Sequence, residues 1–473
     1  MQREWLDLIL LINIMAQNLP GRARVIYQSE ALYAGTVNAT GHHFSVSNDA
    51  WSTKSGVAKL ADVPAGYEVR TGIEQLRRVQ NANYSFSVNR QDVNQFGQLA
   101  RIDSVSIEPP TVTLDFSYYL TNGINERILG MNVDGTSSAL ADDIIGGTEC
   151  GENINADGKN FFILTTCEGH DAVGNKDMDD GKSVIALGNG YVSNYSIEAS
   201  VGSMPTANVT VDGLNLKSYV GSTGLDIPAV NSNFGIPISD IHFDIPPAVS
   251  GVLNDSAAGG LDTEEEGWSC LRPGDITMSL GTDGRASEFE LLPGNDPRGD
   301  LGYGKTAGGF DITTGAGFEG VNDNPMHDYT VPGSAHVQSF SVDVPMSRTV
   351  LNRLGTPYGY SRVVDYPLNI SVSVNAIMAD LKAGNVADLL WNTEEHDLVF
   401  TLREPNQYGT GSVAMQYIVK GALLEGESFS SSIGDNKSVD LTFTAQVGGP
   451  EDLARGLRIL GSRNALTITG EFA

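Results

Sequence analysis

Seven histidines and three cysteines are the side chains most able to bind a metal or attack a substrate in this 473-residue chain. The histidines are His42, His43, His170, His242, His327, His336 and His396. A zinc hydrolase needs two imidazoles one helical turn apart, as in HExxH, and no such spacing occurs. His42 and His43 in "GHH" read as a polar loop. His242 and Asp244 in "HFD" would share one strand face, but one imidazole and one carboxylate do not complete a metal site. Cys150, Cys167 and Cys270 are odd in number and form no CxxC. They read as free thiols of a reducing compartment, with a Cys150–Cys167 bridge as an unsupported alternative.

The remaining motifs are equally incomplete. "DGKS" (180–183) resembles the end of a phosphate-binding loop, but six residues separate Gly174 from Gly181 where four are required, and no strand–loop–helix context surrounds it. "NINADG" (153–158) alternates oxygen ligands before a glycine, as a calcium loop begins. Its twelfth position is Leu164 rather than glutamate, so an Asn/Asp turn is expected. "DTEEEG" (262–267) reads as a solvated acidic loop. No GxSxG, Cys/His pair or distinguishable carboxylate pair is present. The chain is therefore expected to be non-enzymatic, with no catalytic, cofactor-binding or metal-ligating residue and no cofactor.

Charge narrows the partners. The net charge of −29 comes from 58 acidic residues against only 29 basic ones, with charged residues at 18%. A chain short of bases has no stripe with which to displace counterions from nucleic acid, so specific DNA or RNA binding is not expected.

The chain also repeats itself. At an offset of 258, "RQDVNQFG" (90–97) falls on "RTVLNRLG" (348–355), and Val112, Leu114 and Phe116 fall on Ile370, Val372 and Val374. At an offset of 232, "IEASVGSMPTANVTV" (197–211) falls on "FSSSIGDNKSVDLTF" (429–443). The drop from 258 to 232 leaves 26 surplus residues in the first copy, assigned to the Gly/Asp/Asn-rich stretch 132–160, which reads as an inserted loop.

These blocks need a scaffold of strands. "VTLDFSY" and "ISVSVNA" alternate apolar and polar residues, the mark of antiparallel strands with one buried face. The many glycines, 54 of 473 residues, with abundant valine, threonine and serine, suit strands and turns. Gly202 and Gly434 fall where a hairpin needs a permissive backbone. Short helices are expected at 122–131 and 382–391, another at 450–461 after Pro450, and a last strand at 465–472. Long Gly/Asp/Asn stretches at 36–60, 132–160, 168–182 and 254–335 read as loops. Residues 1–17 read as an N-terminal helical arm, with a signal peptide or an upstream start before Met15 as competing readings. No segment is a membrane span. The expected division is 18–228 for the first copy and 229–473 for the second.

"SVGSMPTANVTV" and "SIGDNKSVDLTF" resemble the closing hairpin of tailed-bacteriophage tail tube proteins, and "VIYQSEALYAG" (25–35) resembles the opening of virion tail proteins. The resemblance implies a mainly β protein: two tandem β-sandwich or rolled-sheet domains of tail-tube type, each with a short flanking helix and long loops. It further implies a major tail tube subunit, self-associating as homotrimers of pseudo-six-fold symmetry that stack into a tube. Tape measure, baseplate and terminator proteins would be its other partners. Genome DNA would pass the lumen without specific binding during ejection, and the site would be a virion tail assembled in the host cytoplasm. A baseplate hub, distal tail or tail-terminator protein of the same fold is the alternative; an adhesin or carbohydrate-binding sandwich and a virion-associated hydrolase follow.

Overall fold

The computed structural model describes residues 30–36, 73–133, 135, 138–140, 158–166, 170–172, 182–222, 225–231, 236–237, 242–243, 245, 248, 270–282, 285–289, 335–355, 358–359, 361–378, 395–405, 413–430, 438–449, 452 and 454–461. The N-terminal arm, the loop expected at 36–60 (Thr36 apart), Cys150, Cys167, Gly434, the helix expected at 382–391 and the strand expected at 465–472 lie outside the described residues.

The fold is mainly β. The first half holds β1 (Glu30–Thr36), β2 (Ile73–Gln75), β3 (Val79–Ser87), β4 (Arg90–Val93), β5 (Asp103–Ser106), β6 (Thr111–Tyr119), a helix α1 (Ile124–Leu129), β7 (Lys159–Thr165), β8 (Ser183–Ser200), β9 (Thr206–Gly213) and β10 (Asn215–Val220). Four short strands follow: β11 (Leu225–Asp226), β12 (Val230–Asn231), β13 (Ile236–Pro237) and β14 (His242–Phe243). The second half holds β15 (Ile276–Thr282), β16 (Arg285–Phe289), β17 (Ala335–Pro345), β18 (Arg348–Leu351), β19 (Ser361–Val364), β20 (Asn369–Met378), β21 (His396–Arg403), β22 (Val413–Ser430), β23 (Ser438–Gln446) and β24 (Gly456–Gly461).

Each half folds into two sets of antiparallel strands that share one long strand of 18 residues. In the first, β2, β1 and β7 run up to the N-terminal part of β8, which β10 also flanks; β3, β6 and β9 run up to its C-terminal part. In the second, β16, β15 and β21 meet the N-terminal part of β22, with β24 beside it, while β17, β20 and β23 meet the C-terminal part. The change of partners falls at a left-handed residue in both: Asn189 (φ 51°) in β8 and Gly421 (φ 68°) in β22. Asparagine and glycine are the residues that enter this region at least cost.

The registers of the halves coincide. Tyr195 faces Val209 in the first half; 232 residues on, Glu427 faces Leu441 in the second. A bulge between Val192 and Asn194 recurs between Leu424 and Gly426, at the same offset. Ala82 faces Phe116 and, 258 residues on, Phe340 faces Val374; the bulge between Val79 and Asn81 recurs between Val337 and Ser339. Because one slipped residue would turn a whole strand inside out, shared registers and bulges tie the apolar positions of the two halves together.

Alternation sets the core. Val112, Leu114, Phe116 and Tyr118 of β6 are buried, as are Ile370, Val372, Val374 and Ala376 of β20. They join Val209, Val211, Leu441, Phe443, Leu398, Phe400 and Tyr417 in one apolar cluster that runs through both halves. A second cluster joins Tyr33, Phe162, Leu164 and Val184 of the first half to Leu225, Ile227, Ala229, Ile245 and Ala248, so the stretch after β10 lies on the first half's other layer.

Two expectations are corrected. Residues 456–461 form strand β24 rather than a helix. Leu457 and Ile459 are buried with Arg458 between them, so the period is two, and backbone pairing with β22 outweighs the helix-like caps. The interval 254–335 is not all loop: "ITMSLGT" forms β15, with Met278 buried, and β16 follows. The stretch expected as an inserted loop from 132 is anchored on the body at its described residues. Met131, Val133, Ala139 and Leu140 are buried, Gly135 N–H donates to Ile459 O (2.8 Å) and Ala139 N–H to Leu457 O (2.8 Å). The first half thus extends the second half's β24 edge. No helix among the described residues is long and apolar enough to cross a membrane.

Candidate assembly surface

One sheet spans the two halves. β8 of the first pairs with β17 of the second, antiparallel, from Ser200 facing Ser339 to Asn194 facing Pro345. This join makes a continuous order β3-β6-β9-β8-β17-β20-β23-β22. Its inner side is the apolar core. Its outer side carries Thr113, Asp115, Ser117, Asn208, Thr210, Glu198, Ser339, Ser341, Asp343, Ser371, Ser373, Asn375, Asp440 and Thr442, none of them buried.

Neither a lysine nor an arginine occurs in β3, β6, β9, β17, β20 or β23, in 191–200 of β8 or in 423–430 of β22. The outer face is therefore acidic and hydroxyl-rich. Its carboxylates are held by short neutral partners: Thr210 Oγ1 donates to Asp115 Oδ1 (2.7 Å), Thr206 Oγ1 to Glu198 Oε1 (3.2 Å) and Thr444 Oγ1 to Glu425 Oε1 (2.7 Å). Ser85 and Thr113 hydroxyls pair across strands at 2.6 Å. Such a surface offers a phosphate backbone no cationic foothold.

Two further contacts fasten the join. The hairpin β18–β19 leans across onto the first half. Arg362 donates from Nη1 to Asp212 O (2.7 Å) and from Nη2 to Gly213 O (2.9 Å). The Arg348 guanidinium lies 4.6 Å from the centre of the Tyr191 ring, within cation–π range. Burial lowers the pKa of both guanidinium groups, with the Tyr191 hydroxyl acting in the opposite direction; arginine stays a cation at neutral pH regardless.

The other contact is polar and central. α1, entered at Gly123 (φ 90°) and closed at Gly130 (φ 97°), places Glu126 inside the core. Its Oε1 accepts from Tyr118 (2.8 Å), Tyr195 (3.1 Å) and, at the limit of hydrogen-bond length, Tyr417 (3.5 Å). Tyr195 and Tyr417 hydroxyls lie 3.0 Å apart, so the node links β6 and β8 of one half to β22 of the other. Burial raises the Glu126 carboxyl above its ordinary range, and the tyrosine hydrogen bonds pull it back only in part.

The ends of the sheet differ from its middle. Among the described residues β3 pairs only with β6, and 423–430 of β22 only with β23. Tyr84 and Phe86 on β3 are 46% and 49% exposed. Their counterparts 258 residues on, Val342 and Val344, are 1% exposed in β17, whose edge is paired with β8. β4 is wholly exposed, and Phe96, Leu99 and Leu354 stand in solvent at the two hairpin tips.

The residues weighed for chemistry are dispersed. Leu164 is buried in β7, Ser183 begins β8, His242 lies in β14, His336 in β17 and His396 in β21, while His170 is exposed. Cys270 is a free thiol with Met204 Sδ at 3.6 Å. Among the described residues no group of three or more His, Cys, Asp or Glu could hold a metal ion. The Glu126 node and the Arg362 contacts were not foreseen. Arg348 was visible as the partner of Arg90 in the repeat, but Arg362 falls opposite Ser104, so the repeat carried no hint of it.

No family model and no curated protein matches the chain. Among solved structures, a chain from the tail of an empty gene transfer agent particle is similar at 14% identity, over 24% of this chain and 80% of that one, with a TM-score of 0.18. A chain of the anti-feeding prophage baseplate is similar at 12% identity, over 26% and 78%, with a TM-score of 0.20. An Hcp protein is similar at 8% identity, over 39% and 98%, with a TM-score of 0.19.

Proposed function

We propose that this chain is a virion structural protein, a tail tube subunit built by tandem duplication, and that three copies close a ring of pseudo-six-fold symmetry. The observation that carries this reading is the β8–β17 join, in which two halves of like register already sit side by side in one sheet. A head-to-tail contact of this kind ends either in an open filament or, when its rotation closes, in a ring. The division at 228/229 belongs to the same proposal, with the stretch after β10 acting as a cover on the first copy.

In this reading the acidic outer face of the shared sheet turns to the lumen. Genome DNA passes it unbound, because like charge repels phosphate. Rings stack into a tube through the hairpin tips. Leu354 remains exposed although its own hairpin is docked on the first half, so closing a ring leaves the tips uncovered. The role is non-catalytic, the place is the virion tail after assembly in the host cytoplasm, and tape measure, baseplate and terminator proteins meet the tube at its ends. Negative-stain microscopy of the purified protein is the test: rings and stacked tubes are expected, and a protein monomeric at all concentrations would end the proposal. Phe96→Ser with Leu99→Ser is expected to leave single rings.

A further inference from the structure

We infer that the outermost strand at one end of the sheet, β3, is the docking site for 423–430 of β22 in a second copy, in a register set by the join inside each chain. This rests on the ring reading above and deepens it by naming the surface, the occupant and the pairing.

The template is the β8–β17 pairing. β22 stands to β8 at an offset of 232, and β17 to β3 at 258, with bulges and registers agreeing on both sides. Carrying Ile197 facing Val342 through these offsets sets Phe429 of one copy opposite Tyr84 of the next. In the same way Ser196 facing Asp343 becomes Ser428 facing Ser85, and Asn194 facing Pro345 becomes Gly426 facing Ser87.

Three features of the free edge fit this occupant. First, β3 has backbone groups unpaired on one side among the described residues, and strand addition satisfies them. Second, its apolar positions Tyr84 and Phe86 are half exposed where the internal counterparts, on the strand paired with a neighbouring half, are buried. Covering them removes that remaining apolar surface from water. Third, the β4–β5 hairpin beside β3 is the counterpart of β18–β19, which clasps Tyr191 and the backbone at Asp212 and Gly213. On the next copy that clasp meets Leu423, counterpart of Tyr191 and 42% exposed, together with Thr444 and Ala445. Arg90, in the place of Arg348, brings its aliphatic stem over Leu423 rather than a cation over a ring, so this half of the interface is more apolar.

The experiment is disulfide trapping in the full chain. Residues 85 and 428 occupy opposite ends of the sheet, seven strand spacings or roughly 33 Å apart within one chain, so a bond between them must join two copies. Ser85→Cys with Ser428→Cys is expected to give, on oxidation, dimers and trimers on a non-reducing gel that a reductant collapses. The pair shifted by two residues, Asn83→Cys with Ser428→Cys, should trap on the order of tenfold less, since a disulfide tolerates little separation. Each single variant corrects for the native cysteines. Equal or absent trapping in both pairs, with wild-type rings still visible by microscopy, overturns the register while leaving the ring. A wild type that forms no ring overturns both. Phe86→Asp guards against a folding artefact: it should keep the wild-type circular dichroism and a cooperative melt, a few degrees lower, yet stop assembly, and rings from this variant would also overturn the inference.

Discussion

β3 and β17 occupy the same place in their two halves, with the same register, the same bulge and the same alternation, yet one is half bare and the other is core. The difference lies in what stands beside each. β17 has β8 on its open side; β3 has no described strand there. Burial at this position is thus a property of the neighbour rather than of the strand, which is why an apolar pair such as Tyr84 and Phe86 can be correct on an exposed edge.

The comparison can be broken most sharply by placing a charge on each strand in turn. Val342→Asp puts an uncompensated carboxylate in the join and should cost about 3–5 kcal/mol, measured by urea denaturation. Tyr84→Asp should change monomer stability by less than about 1 kcal/mol while abolishing assembly in sedimentation. Equal losses in the two variants would mean that the strands are not different environments.

The hairpins give the next largest contrast. Arg362→Ala removes two charge-assisted bonds to backbone carbonyls and should cost about 2–3 kcal/mol. Ser104→Ala, at the matching position of the first hairpin, should be neutral within about 0.5 kcal/mol in the monomer. Denaturation midpoints that move together would contradict the clasp.

The buried node gives a smaller, pH-dependent effect. Its carboxyl sits above the ordinary 4.5 in the folded chain, chiefly through burial. A raised acid contributes stability that is complete below the unfolded pKa and is lost as pH rises through the folded value. Stability of the wild type from this group should therefore fall as pH rises above 4.5, and Glu126→Gln should flatten that part of the curve. Tyr417→Phe should cost about 1 kcal/mol at any pH, since it removes one hydroxyl from the link between halves. An unchanged slope in Glu126→Gln would show that the carboxyl is charged throughout. Smallest of all, Gly202→Ala forces a side chain into φ 89° at the β8–β9 turn and should cost about 1 kcal/mol in thermal denaturation.

Much of the fold could be read along the chain. The blocks at offsets 258 and 232 coincide with strand registers, and α1 falls within 122–131. Where reading failed, short-range and long-range preferences disagreed. Pro450 and the acids after it imitate a helix start, but Leu457 and Ile459 alternate and the β22 edge is there to pair with them. "ITMSLGT" alternates too, and the glycine- and aspartate-rich residues around it hid the pattern.

The sequence by itself determined the alternation, the repeated registers and the shortage of bases, because each follows from residue type and local spacing. Only the tertiary structure decided that β8 takes β17 as its neighbour, that Glu126 reaches Tyr417 across 291 positions, and that residues after 132 cross to β24. Those pairings depend on which edges meet in space, and an edge strand offers the same unsatisfied backbone groups to any partner; what selects among them is the packing of the whole chain.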